Sequence, residues 1–225
     1  MERVTTGIKG LDEMLEGGIP KGRHVALCGG PGSGKTLFSM QYLYYGATHD
    51  EPGLYLSLEE TPEKLVKNVQ AAFSDLDINA VIGSGLYVEK PSSFDLQGIS
   101  VLIENYVKNQ KIERLVIDSS TILRAKFRES YDYRETMYEF LDFLGMLNIT
   151  VITTVELPTP ERRNNYGLEH FLMDGIINLY HLDKGSERVR ALEIIKMRAT
   201  KHSRFLVPFR ITPKGIVVYK DERVL

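Results

Sequence analysis

The sequence predicts an α/β fold: a mainly parallel, twisted sheet with helices on both faces, extended by antiparallel strands near the C-terminus. Three observations lead there. Short apolar runs alternate with longer amphipathic ones up to residue 156, the pattern of repeated strand–helix units. A glycine-rich turn at 29–34 joins the first apolar run to the first amphipathic one. Within 175–221 the helical periodicity stops and four strand-like segments follow one another across turns. No linker, internal repeat or low-complexity stretch divides the sequence, so residues 1–225 are expected to form one domain.

"HVALCGG" (24–30) reads as a buried strand running into the glycine turn. "TLFSMQYLYYGA" (36–47) has helical periodicity, with Leu37, Met40, Leu43 and Tyr44 on one side. "GLYLSLEE" (53–60) is a second strand, followed by the helix "TPEKLVKNVQAAF" (61–73). Thr61 suits its N-cap, Pro62 its first helical position, and Glu63 puts an acid in its first turn. "GLYVEK" (85–90) is a short strand, "SFDLQGISVLIENYVKNQ" (93–110) a helix and "RLVIDSS" (114–120) a buried strand. "RETMYEFLDFLGMLN" (134–148) is helical and "ITVITTVE" (149–156) is another buried strand. The last segments, "GIINLYHLDKG", "RVRALEIIKMR", "FLVPFRIT" and "GIVVYKD", are expected to extend the sheet as antiparallel hairpins.

Hydrophobic residues make up 43% of the 225, enough for a substantial core, and charged residues 26%. The net charge of −2 excludes a basic nucleic-acid binder as a whole and leaves only local patches for that role. Cys28 is the one cysteine, so no internal disulfide can form and a reducing compartment is expected. Its place in an apolar strand marks it as a small packing residue. "MERVTTGIKG" has no signal-peptide core, and no apolar run reaches the ~20 residues that span a bilayer. The expectation is a cytoplasmic protein without a membrane partner.

Gly29, Gly34, Lys35 and Thr36 complete the pattern G-x-x-x-x-G-K-[ST] between a predicted strand and a predicted helix, the context this phosphate-binding loop requires. Glycines let the loop wrap closely enough for backbone N–H groups to face phosphate oxygens, and the helix adds its positive end. Lys35 supplies a charge for the β- and γ-phosphates, and the Thr36 hydroxyl can ligate Mg²⁺. The nucleotide-binding residues expected are Gly30, Pro31, Gly32, Ser33, Gly34, Lys35, Thr36 and Leu37. Asp118 ends a buried strand, at the sheet edge where ligands bind in open α/β folds, and is the second candidate metal ligand. Alone it would read equally well as a cap for the next segment. Glu59 and Glu60 end another strand on the same edge. Alternation sends adjacent side chains to opposite faces, so one of the pair is expected to reach the γ-phosphate and orient water. The plainer role for both is to stabilise the helix of 61–73 from its N-terminus.

These residues resemble a known family. "TTGIKGLDEMLEGGIPKGRHVALCGGPGSGKT" (5–36), "YLSLEETPEKL" (55–65), "RLVIDS" (114–119) and "LEIIKMRATKHSR" (192–204) look like the KaiC domain, a branch of the RecA-like P-loop ATPases, in one copy from about Thr5 to about Tyr219. The single-domain KaiC-like proteins common in archaea are the most similar kind. The resemblance implies Mg²⁺-dependent ATP hydrolysis in a hexameric ring with ATP between subunits. It implies catalytic roles for Glu59 and Glu60 with Lys35. It further implies that Lys196 and Arg198 reach the neighbouring subunit's γ-phosphate, and that Thr200, His202 and Arg204 lie near that nucleotide. On physical grounds, Lys196 and Arg198 at i and i+2 of a strand point to one side, and a cation lent across an interface would neutralise charge in phosphoryl transfer. Without the resemblance they would read as two solvated charges on an edge strand. The circadian proteins of the family carry two such domains in tandem, and their autophosphorylating domain has a serine–threonine pair near the nucleotide. The corresponding "LEHFLMDGII" (168–177) has no hydroxyl residue, so clock-type autokinase activity is not expected.

Two segments are candidates for single-stranded nucleic acid: 123–134, where Arg124, Lys126, Arg128 and Arg134 interleave with Phe127, Tyr131 and Tyr133, and 156–167, with Arg162, Arg163, Asn164, Asn165 and Tyr166. Glu129, Asp132, Glu135, Glu156 and Glu161 dilute the charge. Three functions follow: a regulatory ATPase signalling to a protein partner, a DNA- or RNA-dependent ATPase of recombinase type, or a nucleotide-dependent assembly module with negligible turnover.

Overall fold

The computed structural model describes residues 1–124, 130–157, 171–185 and 187–224. In chain order its elements are β1 (Arg3–Val4), α1 (Leu11–Met14), β2 (Ile19–Pro20), β3 (His24–Gly29), α2 (Lys35–Ala47), β4 (Gly53–Ser57), α3 (Pro62–Ala72), α4 (Ile78–Val81) and β5 (Leu86–Glu89). They continue with α5 (Leu96–Gln110), β6 (Arg114–Asp118), α6 (Ser120–Arg124), α7 (Ser130–Met146), β7 (Thr150–Glu156), β8 (Gly175–Lys184), β9 (Glu187–Met197), β10 (Val207–Thr212) and β11 (Gly215–Val218). Nine strands form one sheet in the order β11-β10-β9-β8-β3-β7-β6-β4-β5. From β8 to β5 all neighbours are parallel; from β8 through β11 all are antiparallel.

The α/β class and the antiparallel extension stand as predicted, with one difference. The first of the four closing segments, β8, pairs parallel with β3, Val25 facing Gly175 and Gly29 facing Leu179. It enters the sheet at the same edge as β3 and so must run the same way. It is the last parallel strand, and the hairpins begin only after it.

The strands are apolar on both faces because helices cover both. Alternation along β3 shows the division. Val25 and Leu27 join Phe38, Met40 and Leu43 of α2 and Leu65 and Val69 of α3 in one layer. Ala26 and Cys28 join Ile99 and Ile103 of α5 and Met137, Phe140 and Leu144 of α7 in the other. Each fully buried leucine or isoleucine contributes roughly 1.5–3 kcal/mol. Cys28 is a core packing residue, fully buried. Helix α2 buries a different face from the one its periodicity indicates. Phe38, Ser39, Met40, Gln41, Tyr42 and Leu43 are buried while Leu37 and Tyr44 are half-covered, because α2 lies under both α3 and the β10–β11 hairpin. Helix α3 begins at Pro62 with Thr61 extended at the N-cap, although the Thr61 side chain makes no capping bond. Helix α5 starts at Leu96, later than its periodicity, because Asp95 caps it by accepting a 2.7 Å bond from the Gly98 N–H.

An N-terminal module was not evident in the sequence. β1 and β2 pair antiparallel, Arg3 with Pro20 and Val4 with Ile19, around the single turn of α1. Its "GGIPKG" glycines have a steric reason: Gly18 has φ +132°, and a Cβ there would lie 2.3 Å from the Val4 carbonyl oxygen. Below the main sheet the guanidinium of Arg114 is fully buried against the Tyr42 ring, donating to Glu51 at 2.8 Å and to the Tyr42 carbonyl at 2.8 Å.

Candidate functional site

Parallel register brings four strand ends to one sheet edge. Gly29 of β3 faces Glu156 of β7, and Ser57 of β4 faces Asp118 of β6. The turn 30–34, Leu58–Glu60 and Ser119 therefore continue side by side. The glycines in the turn are dictated by space and dihedral angle. A Cβ on Gly29 would lie 2.5 Å from Ser33 Oγ and 2.7 Å from the Leu179 carbonyl oxygen. Gly32 and Gly34 have φ of +71° and +106°, left-handed values that glycine adopts without strain. Pro31 and Gly32 form the exposed tip, Gly30 is half-covered, and Ser33 is buried. The 13-residue helix α2 starts directly after Gly34, so its first-turn N–H groups face the loop. Leu37 is half-buried against the core below the loop and contributes packing at that position.

The Lys35 ammonium lies over its own loop, donating to the carbonyls of Gly29 at 2.8 Å and Gly30 at 3.2 Å. Burial pulls its pKa below the usual lysine value, against the attraction of Glu156, Asp118 and Glu59. The Thr36 hydroxyl is 3.5 Å from Asp118 Oδ2. Asp118 also accepts bonds from Tyr55 on Oδ2 and from Thr154 on Oδ1. Burial, then the neighbouring Asp118, push the Tyr55 hydroxyl well above its ordinary pKa, so it remains a donor that holds the carboxylate still.

Glu59 and Glu60 part company here, for a reason other than strand alternation. Strand β4 ends at Ser57, and both glutamates lie in the bend after it. Glu59, although exposed, leans over the end of β6, accepting a 2.7 Å bond from the hydroxyl of Ser119, next to Asp118, and its carbonyl accepts from Lys90 at 2.9 Å. Glu60 turns away onto α3, paired with Lys64 at 3.2 Å and bonded by Asn68 at 3.5 Å.

The ligand chemistry can be tested on these residues. Ser33 Oγ is buried and has no hydrogen-bond partner among the described residues, which suits a phosphate oxygen as acceptor. Thr36 and Asp118 offer hard oxygen donors on one side of the loop, as Mg²⁺ prefers when phosphates complete its shell. Beside the loop, Phe209 and Ile211 come within 3.8 Å and 3.5 Å of a Cβ built on Gly34. They line a cleft of about 570 Å³ between β9 and β10, with Arg188, Arg190, Arg210 and Tyr219 also on its walls. Tyr55, Thr154, Ser119 and this cleft were missed from sequence. The signal available was polarity inside buried strands, "GLYLS" and "ITVITTVE", where an unexplained hydroxyl needs a partner.

Lys196 and Arg198 are not part of this edge. Lys196 pairs with Ile176, which pairs with Ala26, so it sits near the foot of the sheet, about 13 Å along β3 from Gly30 at ~3.3 Å per residue. Its ammonium donates to the Met173 carbonyl at 2.6 Å, and burial, then Arg198, lower its pKa. Strand β9 stops at Met197, so Arg198 belongs to the turn beyond it, contrary to the expected strand position. It bonds Asp174 at 3.3 Å, and Asp174 also pairs with Arg23 at 3.3 Å. The Thr200 hydroxyl accepts a 3.0 Å bond from Arg3, the His202 ring lies 2.9 Å from the Ser203 carbonyl, and Arg204 is exposed.

In the segment 123–134, Arg124 ends α6 and α7 starts at Ser130, so the described parts of this candidate segment are helical. Tyr133 is 1% exposed with Arg124 over its ring, which removes that aromatic from base stacking. Lys126, Phe127 and Arg128 lie outside the described residues, as do 158–167 with Arg162, Arg163 and Tyr166 and the start of the 168–177 segment. No helix among the described residues is long and apolar enough to cross a membrane.

Known proteins resemble this chain in fold and sequence. A solved structure of a KaiC-like protein from the hyperthermophilic archaeon Pyrococcus horikoshii OT3 superposes with a TM-score of 0.86 at 36% identity, covering 97% of this chain and 99% of that one. UPF0273 proteins match end to end: that of Thermotoga maritima is 35% identical over 99% of this chain and 98% of its own length, and that of Aeropyrum pernix 37% identical over 100% and 96%. The circadian clock oscillator protein KaiC of Parathermosynechococcus lividus is 33% identical, and this chain spans 42% of its length. The family profile described as "ATPase: KaiC" matches residues 4–223. The chain therefore belongs to the KaiC-like ATPase family.

Proposed function

We propose that this protein is a Mg²⁺-dependent ATPase acting as one KaiC-like domain per subunit in a closed ring, a hexamer, with ATP held between neighbours, and that its cycle serves regulation through a protein partner in the cytoplasm. The observation that carries the reading is the split of the cations. Lys35, Thr36, Asp118 and Glu59 converge on one sheet edge, whereas Lys196 and Arg198 lie at the other, out of reach of their own loop. Two cations at the far edge suit a neighbour's nucleotide. In this arrangement Gly30–Thr36 hold the phosphates and Lys35 balances their charge. The Phe209–Ile211 cleft takes the base, and Thr36 with Asp118 hold Mg²⁺. Mg²⁺ held there would neutralise charge on the phosphates. Glu59, fixed by Ser119 beside Asp118, orients and deprotonates the attacking water, and Glu60 supports α3 instead. Steady-state ATP hydrolysis with and without single-stranded DNA, against a Lys35→Ala control, tests this. DNA-independent turnover lost in the control supports it. Strong stimulation by DNA would favour the recombinase-type alternative, and no turnover above the control would leave only an assembly module.

A further inference from the structure

The motif "GGIPKG" lies far from the phosphate loop in space, and the proposed function gives it no work. Its residues close the N-terminal module, and that module grips one segment of the chain. Arg3 donates from Nη1 to the carbonyls of Leu15 at 2.9 Å and Gly18 at 3.1 Å, and to the Thr200 hydroxyl at 3.0 Å. Its Nη2 pairs with Glu16 at 3.0 Å. The same Glu16 carboxylate oxygen accepts from the Lys201 N–H at 3.2 Å, and the Met14 carbonyl accepts from the Ser203 N–H at 3.1 Å. Three ties, at Thr200, Lys201 and Ser203, thus fasten this segment to the module. The turn they fasten contains Ala199 at φ +57°, a left-handed value that a non-glycine residue keeps only when its surroundings impose it. Arg198 sits immediately before that residue.

We propose that Arg3 and Glu16 are positioning residues that set the 198–203 turn, and through it Lys196 and Arg198, for a neighbouring subunit's nucleotide. This rests on the trans role proposed above for those cations. It also reassigns Thr200: its hydroxyl is engaged by Arg3, so it anchors the turn and does not meet the nucleotide. An arginine is needed because a single guanidinium reaches carbonyl, hydroxyl and carboxylate acceptors at once, which an ammonium on a flexible stem cannot match.

Mixing subunits tests this. Arg3→Ala is expected to lower kcat at least about tenfold with little change in KM, since misplaced catalytic groups cost rate more than binding. Arg3→Ala keeps an intact loop, and Lys35→Ala keeps intact cations. Rings mixed from these two impaired proteins should turn over faster than either alone, each Arg3→Ala loop being completed by a Lys35→Ala neighbour. An Arg198→Ala with Lys35→Ala mixture is the reference. Recovery in both mixtures supports the inference. Recovery only in the reference, or full activity of Arg3→Ala alone, overturns it and leaves the trans reading standing. No recovery in the reference overturns both. Glu16→Ala, which removes the acceptor shared by Arg3 and the Lys201 N–H, and Thr200→Val, which removes the Arg3 acceptor in the turn, serve where Arg3→Ala fails to fold. Normal kcat in both would equally overturn the inference.

Discussion

The two edges of the main sheet are built by different means. At the upper edge, where β3, β4, β6 and β7 end, the phosphate loop is shaped by short-range geometry, glycine dihedrals and a helix start, and strand register then brings Tyr55 and Thr154 to Asp118. At the lower edge, Arg114, His24, Asp174, Lys196 and Arg198 are held by contacts between segments far apart in sequence. Arg114 reaches back to Glu51 and Tyr42, and Asp174 ties Arg23 to Arg198. The contrast teaches that substitution at the upper edge should strip chemistry and leave the fold, whereas the lower edge should answer in stability, with Lys196 and Arg198 the exceptions that, on the proposed arrangement, answer in a neighbour's turnover.

Five measurements would break or sharpen that contrast. Lys35→Ala should reduce hydrolysis by about 10³-fold or more with an unchanged melting temperature. A large loss of stability would show that the loop lysine is structural. Arg198→Ala should retain ATP binding and assembly and lose about 10³-fold in turnover, as removal of a trans cation does. Near-normal turnover would refute the lent cation. Arg114→Ala should destabilise by about 3 kcal/mol in denaturant titration, leaving a cavity and an unmatched Glu51, while turnover per folded molecule stays within about twofold. Its partner is 34% exposed, which keeps the figure at the low end for a broken buried pair. Glu59→Gln should cost about 10²-fold in kcat, and Glu60→Gln only about 0.5 kcal/mol of stability through its i,i+4 pair with Lys64. Equal rate losses would mean both glutamates do chemistry.

The smallest effect concerns pH. Burial lowers the His24 pKa from its ordinary 6.5 in the fold. The unfolded chain then binds a proton more readily, so stability is full above about pH 6.5 and falls as pH drops below it. His181 shifts in the same direction. Thermal melts between pH 7.5 and 5 should therefore show a decline that is shallower in His24→Asn than in the parent. Identical slopes would assign the decline elsewhere.

The same contrast governs what the sequence discloses. Lys35, Thr36 and Asp118 are legible because each is announced by its immediate neighbours, a glycine pattern or an apolar strand. Tyr55 and Thr154 are not, because their convergence on Asp118 depends on the register of β4, β6 and β7, which no local pattern encodes. The division of labour between Glu59 and Glu60 hangs on β4 ending at Ser57, three residues before the expected end of that strand at Glu60. The parallel pairing of β8 and the N-terminal module are hidden for the same reason: both are pairings between segments apart in the sequence, which no local pattern encodes.

Strand β8 carries a last consequence. Among the described strands it is the one paired parallel on one side and antiparallel on the other, and on the proposed arrangement it fixes the offset between the loop a subunit owns and the cations it lends. On the proposed arrangement, upper edge must therefore meet lower edge, never its like. Such contacts are heterologous, head to tail, and a two-fold dimer cannot satisfy them. An open row of n subunits would always leave one loop incomplete and one pair of cations idle. Only closure makes the number of working sites equal to the number of subunits, so activity per subunit should rise when the last contact forms.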